Sequence, residues 1–202
     1  MALNILSVSA SVQGDNSTSR ALANSFVNHE KIADKVGSVV ERDVSRNDVA
    51  FVSAEHVGAF YTPREERSAE QNALLEQSDA MVEELKAANT LVVSTPMYNF
   101  GVPASLKAWI DMICRVGETF RYTENGPEGL LNIDTMYLFV ATGGAPVDSP
   151  VDFLVPYMKQ VASFIGIKNV EVIAADGMNV DADASLGKAH EQLEELVAKL
   201  AG

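Results

Sequence analysis

Residues 91–113 read LVVSTPMYNFGVPASLKAWIDMI, and the order of their signals decides the fold. Leu91, Val92 and Val93 form an apolar run without polar alternation, as a strand buried on both faces requires. From Ser94 to Lys107 come hydroxyls, two prolines, Asn99 and Gly101, a mixture that ends a strand. Pro103 fits the first turn of a helix, where its missing N–H has no partner to lose. Leu106, Trp109, Ile110 and Ile113 then recur on one helical face. Strand, loop and helix in that order build a parallel sheet, because parallel strands need long, right-handed, usually helical crossovers.

The same unit recurs in both directions. Upstream, Leu3 to Ser9 reads as a first strand, followed by a polar loop and, from Ser17, a helical pattern carried by Leu22, Phe26 and Ala33. Val39 to Val44 reads as a half-exposed edge strand, a position that tolerates the charges Glu41 to Asp43. Asn47 to Arg67 is rich in breakers and reads as a long loop with room for a short helix; loops of that length are commonly functional. Ala69 to Ala88 carries Leu74, Met81, Leu85 and Ala88 at helical spacing. Downstream, Met136 to Ala141 is an interior strand that stops at Thr142, Gly143 and Gly144. A helix from about Asp152 to Ile165, a strand from Val170 to Ala174 and a final helix with Leu186, Ala189, Leu193, Leu196 and Leu200 complete the pattern. The expectation is an α/β doubly wound sheet of five parallel strands with helices on both faces.

The chain's 202 residues fit one domain over residues 1–202. With 47% hydrophobic and 21% charged residues it holds enough apolar material for a core, which excludes global disorder. Fifteen basic against 28 acidic residues leave a net charge of −13, which disfavours nucleic acid and anionic membrane surfaces as partners. No apolar run approaches the roughly 20 residues that span a bilayer, and MALNILSVSA lacks a basic leading segment and a cleavage signature. A cytoplasmic location is the expectation, and the single Cys114 cannot form an internal disulfide.

Three loops carry the chemistry. Ser11, Ser17, Thr18 and Ser19 place hydroxyls beside the unpaired N–H groups of a helix start, an arrangement that suits a phosphate, although such residues serve equally as a cap and turn. Neither a Walker A sequence nor GxGxxG is present. Met97, Tyr98, Asn99 and Phe100 suit a flat heteroaromatic ring; the alternative is a stiff turn whose aromatics plug the core. Ala141, Thr142, Gly143 and Gly144 let backbone approach a ligand closely, or simply form a turn that needs positive φ. In the strand order 2-1-3-4-5 these three loops leave neighbouring strands and meet beyond their carboxyl ends.

The segments PMYNFGVPASLKAWID (96–111), FRYTENGPEGL (120–130) and SVQGDNSTSR (11–20) closely resemble the FMN-dependent NADH:quinone oxidoreductases, also called azoreductases, of the flavodoxin-like superfamily, and the resemblance runs through essentially the whole chain. It implies a flavodoxin-like fold and a homodimer with its active site at the interface. It also implies one bound FMN per subunit, NADH as reductant, and two-electron reduction of quinones or of azo compounds to amines. Carried over residue by residue, Ser11, Ser17, Thr18 and Ser19 match the ribityl-phosphate contacts. Met97, Tyr98, Asn99 and Phe100 match the segment along the isoalloxazine ring, and Ala141, Thr142, Gly143 and Gly144 match the loop at its pyrimidine end. Tyr122 resembles an aromatic that reaches the substrate space from the partner subunit, and Phe100 borders the same space. Relatives often carry Ser-Arg-Gly-Gly with a nearby His at the third loop. This chain has Ala-Thr-Gly-Gly-Ala-Pro-Val-Asp, which leaves backbone contacts from the glycines.

The flavin then carries the chemistry in a ping-pong cycle, and no side-chain acid or base is called for. On this reading Gly143→Val adds bulk against the ring. His29 and His190 fall in helical patterns, and His56 lies in the long loop. Cys114 reads as a buried thiol, and there is no HExxH or CxxC metal motif. Arg64 and Arg67 are the available cations for a ribose 2′-phosphate, a thin set that leans the reductant toward NADH. An electron-carrier flavodoxin is the main alternative. A phosphate-accepting receiver lacks its acidic cluster here, and an esterase lacks the GxSxG elbow.

Overall fold

The computed structural model describes residues 2–46 and 48–202. Seven strands occur among them: β1 (Leu3–Ser9), β2 (Val36–Asp43), β3 (Thr90–Pro96), β4 (Phe120–Thr123), β5 (Gly126–Gly129), β6 (Thr135–Ala141) and β7 (Asn169–Ala175). Six α-helices accompany them: α1 (Thr18–Val27), α2 (Ala54–Phe60), α3 (Ala69–Ala87), α4 (Ala104–Ile113), α5 (Leu154–Ile165) and α6 (Ala182–Ala201). The main sheet runs β2-β1-β3-β6-β7, all pairs parallel, which is the expected 2-1-3-4-5 winding once the β4–β5 hairpin is set aside.

Successive strand residues face opposite sides, so both faces of the central strands must be apolar to be covered. Leu6, Val8, Leu91, Val93, Leu138 and Val140 join the core under α3, α4 and α5. Ile5, Val92, Tyr137, Phe139 and Ile173 join the opposite core with α1 and α6. The continuous run 91–93 is therefore split between two cores, each buried aliphatic contributing about 1.5–3 kcal/mol.

Several elements differ from their expected form. α1 ends at Val27, because the Asn28 side chain donates to the Asn24 carbonyl at 2.9 Å and a 3-10 turn, Glu30–Ile32, buries Ile32 instead of extending the helix to Ala33. β2 starts at Val36, and Val44 leaves it for a turn in which it is fully buried. The buried face of α3 uses Leu75 and Val82 beside Met81 and Leu85, while Leu74 is half-buried. Asp152 caps α5 instead of opening it, accepting the N–H groups of Leu154 at 2.9 Å and Val155 at 3.0 Å. Asn47 lies outside the described residues, but the segment after it holds α2. That helix starts from a capping box in which Ser53 accepts the His56 N–H and His56 Nδ1 accepts the Ser53 N–H at 3.2 Å.

Candidate active site

The three loops leave adjacent strands at one edge of the sheet. Ser9 pairs with Ser94, Pro96 with Ala141, and Ala141 with Ala175. Past the strand ends, the Ala10 N–H donates to the Ser94 carbonyl and the Met97 N–H to the Ala141 carbonyl, both at 2.9 Å.

In the first loop Gly14, at φ 55°, turns the chain toward α1. Ser17 caps that helix by accepting the Arg20 N–H at 3.3 Å, which leaves the Thr18 and Ser19 N–H groups without a partner among the described residues. The Ser17 and Ser19 hydroxyls lie 3.2 Å apart and are buried, and buried Ser11 accepts the Gln13 N–H at 3.3 Å. Unpaired donors, hydroxyls and the positive end of a ten-residue helix together suit a phosphate.

In the second loop Tyr98 and Gly101 exchange hydrogen bonds at 3.0 and 3.1 Å around a two-residue tip. Asn99 and Phe100 at that tip have φ of 49° and 71°, as the mirror-image hairpin turn requires. Holding a phenylalanine there costs about 1–3 kcal/mol. Phe100 is 51% exposed and Tyr98 37%, so these aromatics do not plug the core. The Phe153 N–H donates to the Phe100 carbonyl at 3.1 Å, setting a second exposed phenylalanine beside the tip.

The third loop departs from the turn reading, since neither Gly143 nor Gly144 has positive φ. The Thr142 carbonyl accepts from Met178 at 3.0 Å and the Gly143 carbonyl from Asn179 at 2.7 Å. In a trans peptide the N–H points opposite to the C=O, so the Gly143 and Gly144 N–H groups both point away from β7 and its loop. Neither has an acceptor among the described residues. Two adjacent N–H groups aimed to one side form a small anion- or acceptor-binding concavity. A Cβ on Gly144 would meet nothing within 4 Å, whereas one on Gly143 would stand 2.6 Å from Asn179 Nδ2. Bulk at Gly143 therefore also meets the exposed Asn179 side chain, whose end is free to move aside.

Phosphate-type donors at one end and paired donors at the other, with an aromatic tip between, fit a phosphorylated flat ring system. Tyr122 stands 65% exposed on the β4–β5 hairpin with its ring edge-on to Phe120 at 5.4 Å, and no hydrogen bond or ring contact joins it to the three loops among the described residues.

The remaining candidates hold structural positions. His56 is buried in the capping box, His29 contacts Glu194 at 2.9 Å, and His190 Nδ1 bonds the Leu186 carbonyl at 2.8 Å. Arg67 pairs with Asp79 at 2.9 Å, and Arg64 lies 3.7 Å from Asp79 and 3.6 Å from Glu83, so carboxylates already engage both arginines. Burial pushes the Cys114 thiol up to about 12, leaving it protonated and unreactive near neutrality. Among the described residues no group of three or more His, Cys, Asp or Glu is placed to hold a metal ion. Sequence reasoning missed Asp152, whose carboxylate accepts the Asp148 N–H, and Phe153 and Asn179, whose own N–H groups bond the loops; none of the three bears a motif.

Sheet order and loop geometry define a flavodoxin-like protein, and a family model described as flavodoxin-like fold matches residues 3–200. The FMN-dependent NADH:quinone oxidoreductase 1 of Hahella chejuensis is 48% identical over 189 residues, covering 94% of this chain and 92% of that protein. The FMN-dependent NADH:quinone oxidoreductase of Erythrobacter litoralis is 44% identical, covering 96% and 98%. A solved FMN-dependent NADH-azoreductase from Bacillus anthracis in complex with FMN superposes with a TM-score of 0.84 at 26% identity, covering both chains completely. This chain belongs to the family of FMN-dependent NADH:quinone oxidoreductases.

Proposed function

We propose that the chain is an FMN-dependent oxidoreductase that takes reducing equivalents from NADH, reduces quinones by two electrons, and cleaves aromatic azo compounds to amines. The observation that carries this reading is the convergence of unpaired N–H donors from Thr18 and Ser19, and from Gly143 and Gly144, on one sheet edge. Bound there, FMN supplies the hydride chemistry that no side chain of the site offers. The α1 start and the hydroxyls of Ser11, Ser17, Thr18 and Ser19 hold the phosphate. Met97 to Phe100 would line the ring, and Ala141 to Gly144 would face its pyrimidine end. The Gly143 and Gly144 N–H groups would be the donors available to negative charge on the bound group, in the manner of preorganised donors worth about 3 kcal/mol each. These are neutral dipoles acting at contact distance, so the −13 surface does not oppose them strongly; charges more than about 8 Å away are screened.

The relatives are named for action on NADH and quinones, which gives the electron-carrier alternative no support. The active unit is a homodimer in which Tyr122 of one hairpin reaches the acceptor space of the other subunit, beside Phe100. The 65% exposure of Tyr122 on its hairpin supports that assignment. No helix among the described residues is long and apolar enough to cross a membrane, and we place the enzyme in the cytoplasm. Steady-state rates with NADH against a quinone and against an azo dye test the reading. Parallel double-reciprocal lines with both acceptors are expected; NADH oxidation that needs a protein acceptor would reject it.

A further inference from the structure

The aromatic tip of the second loop is held in an unfavourable form, and part of what holds it comes from another segment. Asn99 and Phe100 have φ of 49° and 71°. Such backbone persists only where its surroundings over-determine it. Within the tip, Tyr98 and Gly101 exchange two bonds; from outside, the Phe153 N–H donates to the Phe100 carbonyl at 3.1 Å. The start of α5 shows what fixes that N–H. Leu154 and Val155 open the helix with N–H groups that have no partner inside it, and Pro156 has none to offer. Asp152 Oδ1 accepts both, at 2.9 and 3.0 Å, so its side chain reaches across Phe153 and brackets it. Asp152 Oδ2 turns the other way and accepts the Asp148 N–H at 3.0 Å. That bond closes the turn 148–152, in which Asp148 has φ 62° and the Asp152 N–H donates to the Ser149 carbonyl at 3.0 Å. Asp152 is only 4% exposed, so water is poorly placed to replace its carboxylate in these bonds.

We propose that Asp152 is a positioning residue of the acceptor space. One carboxylate oxygen brackets Phe153 against the first turn of α5 and the other ties it to the turn at Asp148. Together they hold the Phe153 N–H on the Phe100 carbonyl and so keep the Asn99–Phe100 tip in its left-handed conformation. The inference rests on the FMN reading above for what Phe100 borders; the support of the tip stands on the bonds themselves. Any residue supplies the N–H at position 153, but its placement depends on the acid before it.

The test uses the whole chain and begins with FMN-free protein, in which deuterium uptake is followed over peptides covering 97–103 and, as a reference, 104–113. Asp152→Ala is expected to speed exchange in the first about tenfold and to leave the second within about twofold of wild type. In the holoenzyme, kcat/KM for a quinone is expected to fall about tenfold while FMN stays at one per chain. In a Phe100→Ala background the same substitution should change it less than about twofold, because the two residues act through one contact. Unchanged exchange over the tip, equal acceleration of both peptides, or an equal fall of kcat/KM in both backgrounds overturns the inference. If Asp152→Ala does not fold, Asp152→Asn, which gives up the bond to Asp148, is read by the same criteria with effects of about threefold expected. Wild-type protein that binds no FMN would instead overturn the reading of the site, and the exchange data would still decide whether Asp152 supports the tip.

Discussion

Gly143 and Gly144 are adjacent, yet a methyl group added to each meets different surroundings: the Asn179 amide at 2.6 Å in one case and nothing within 4 Å in the other. Gly144 is thus the position at which bulk addresses the ligand rather than the fold. Gly144→Val is expected to leave the thermal midpoint of the apoprotein within a few degrees of wild type while weakening FMN at least tenfold, about 1.4 kcal/mol. Calorimetry and a fluorescence titration check the two halves, and unchanged FMN affinity would remove Gly144 from the site. The glycine pair was legible in the sequence as a place of close approach. The neighbour of Gly143 was not, because Asn179 stands 36 positions away and comes beside it only through the pairing of β6 with β7. Asn99 and Phe100 show the same limit: MYNF reads as a ring-binding segment, but a phenylalanine at φ 71° is not predictable from a residue type that ordinarily avoids that region.

At the scale of elements, the long strands and helices were legible because each buries a wide apolar face, and periodicity reports such faces directly. The exceptions, α2 and the β4–β5 hairpin, have narrow ones. α2 has seven residues, and its capping box uses His56 where the usual signature has Glu or Gln. β5 reads GPEG, with two glycines and a proline, and is held by antiparallel pairing with β4 and by the Arg121–Glu128 pair at 2.9 and 3.0 Å. α2 is anchored at its far end by Phe60, whose ring covers the guanidinium of fully buried Arg115 at 4.4 Å. Nη1 of Arg115 meets Ser78 Oγ at 2.5 Å and Asp79 Oδ1 at 3.1 Å, while Nε and Nη2 have no hydrogen-bond partner among the described residues. Removing one member of a buried charge pair costs about 3–5 kcal/mol. Arg115→Ala should lie near the low end, about 3 kcal/mol, because Arg67 still pairs with Asp79. Urea unfolding measures it, and a loss below about 1 kcal/mol would show that the cluster does not anchor α2.

At the scale of the whole molecule, the winding 2-1-3-4-5 makes one end of the sheet a place where three loops distant in sequence meet; the strand–loop–helix rhythm foretold a doubly wound sheet, whereas the strand order came with the flavodoxin-like likeness and not from periodicity. Assembly is harder to read, because aromatics exposed on one chain do not state their partner. The proposed dimer predicts a sedimentation mass twice that of the chain at micromolar concentration. It also predicts that Tyr122→Ala lowers kcat/KM for the acceptor several-fold while FMN content stays at one per chain; a monomer with full activity would contradict the shared site. The most direct test of the central claim is a crystal structure of the chain grown with FMN. The account places the phosphate within about 3 Å of the Thr18 and Ser19 N–H groups and the pyrimidine edge at the same reach from those of Gly143 and Gly144. A phosphate bound away from the start of α1, or a ring that leaves the two glycine N–H groups facing solvent, would contradict it.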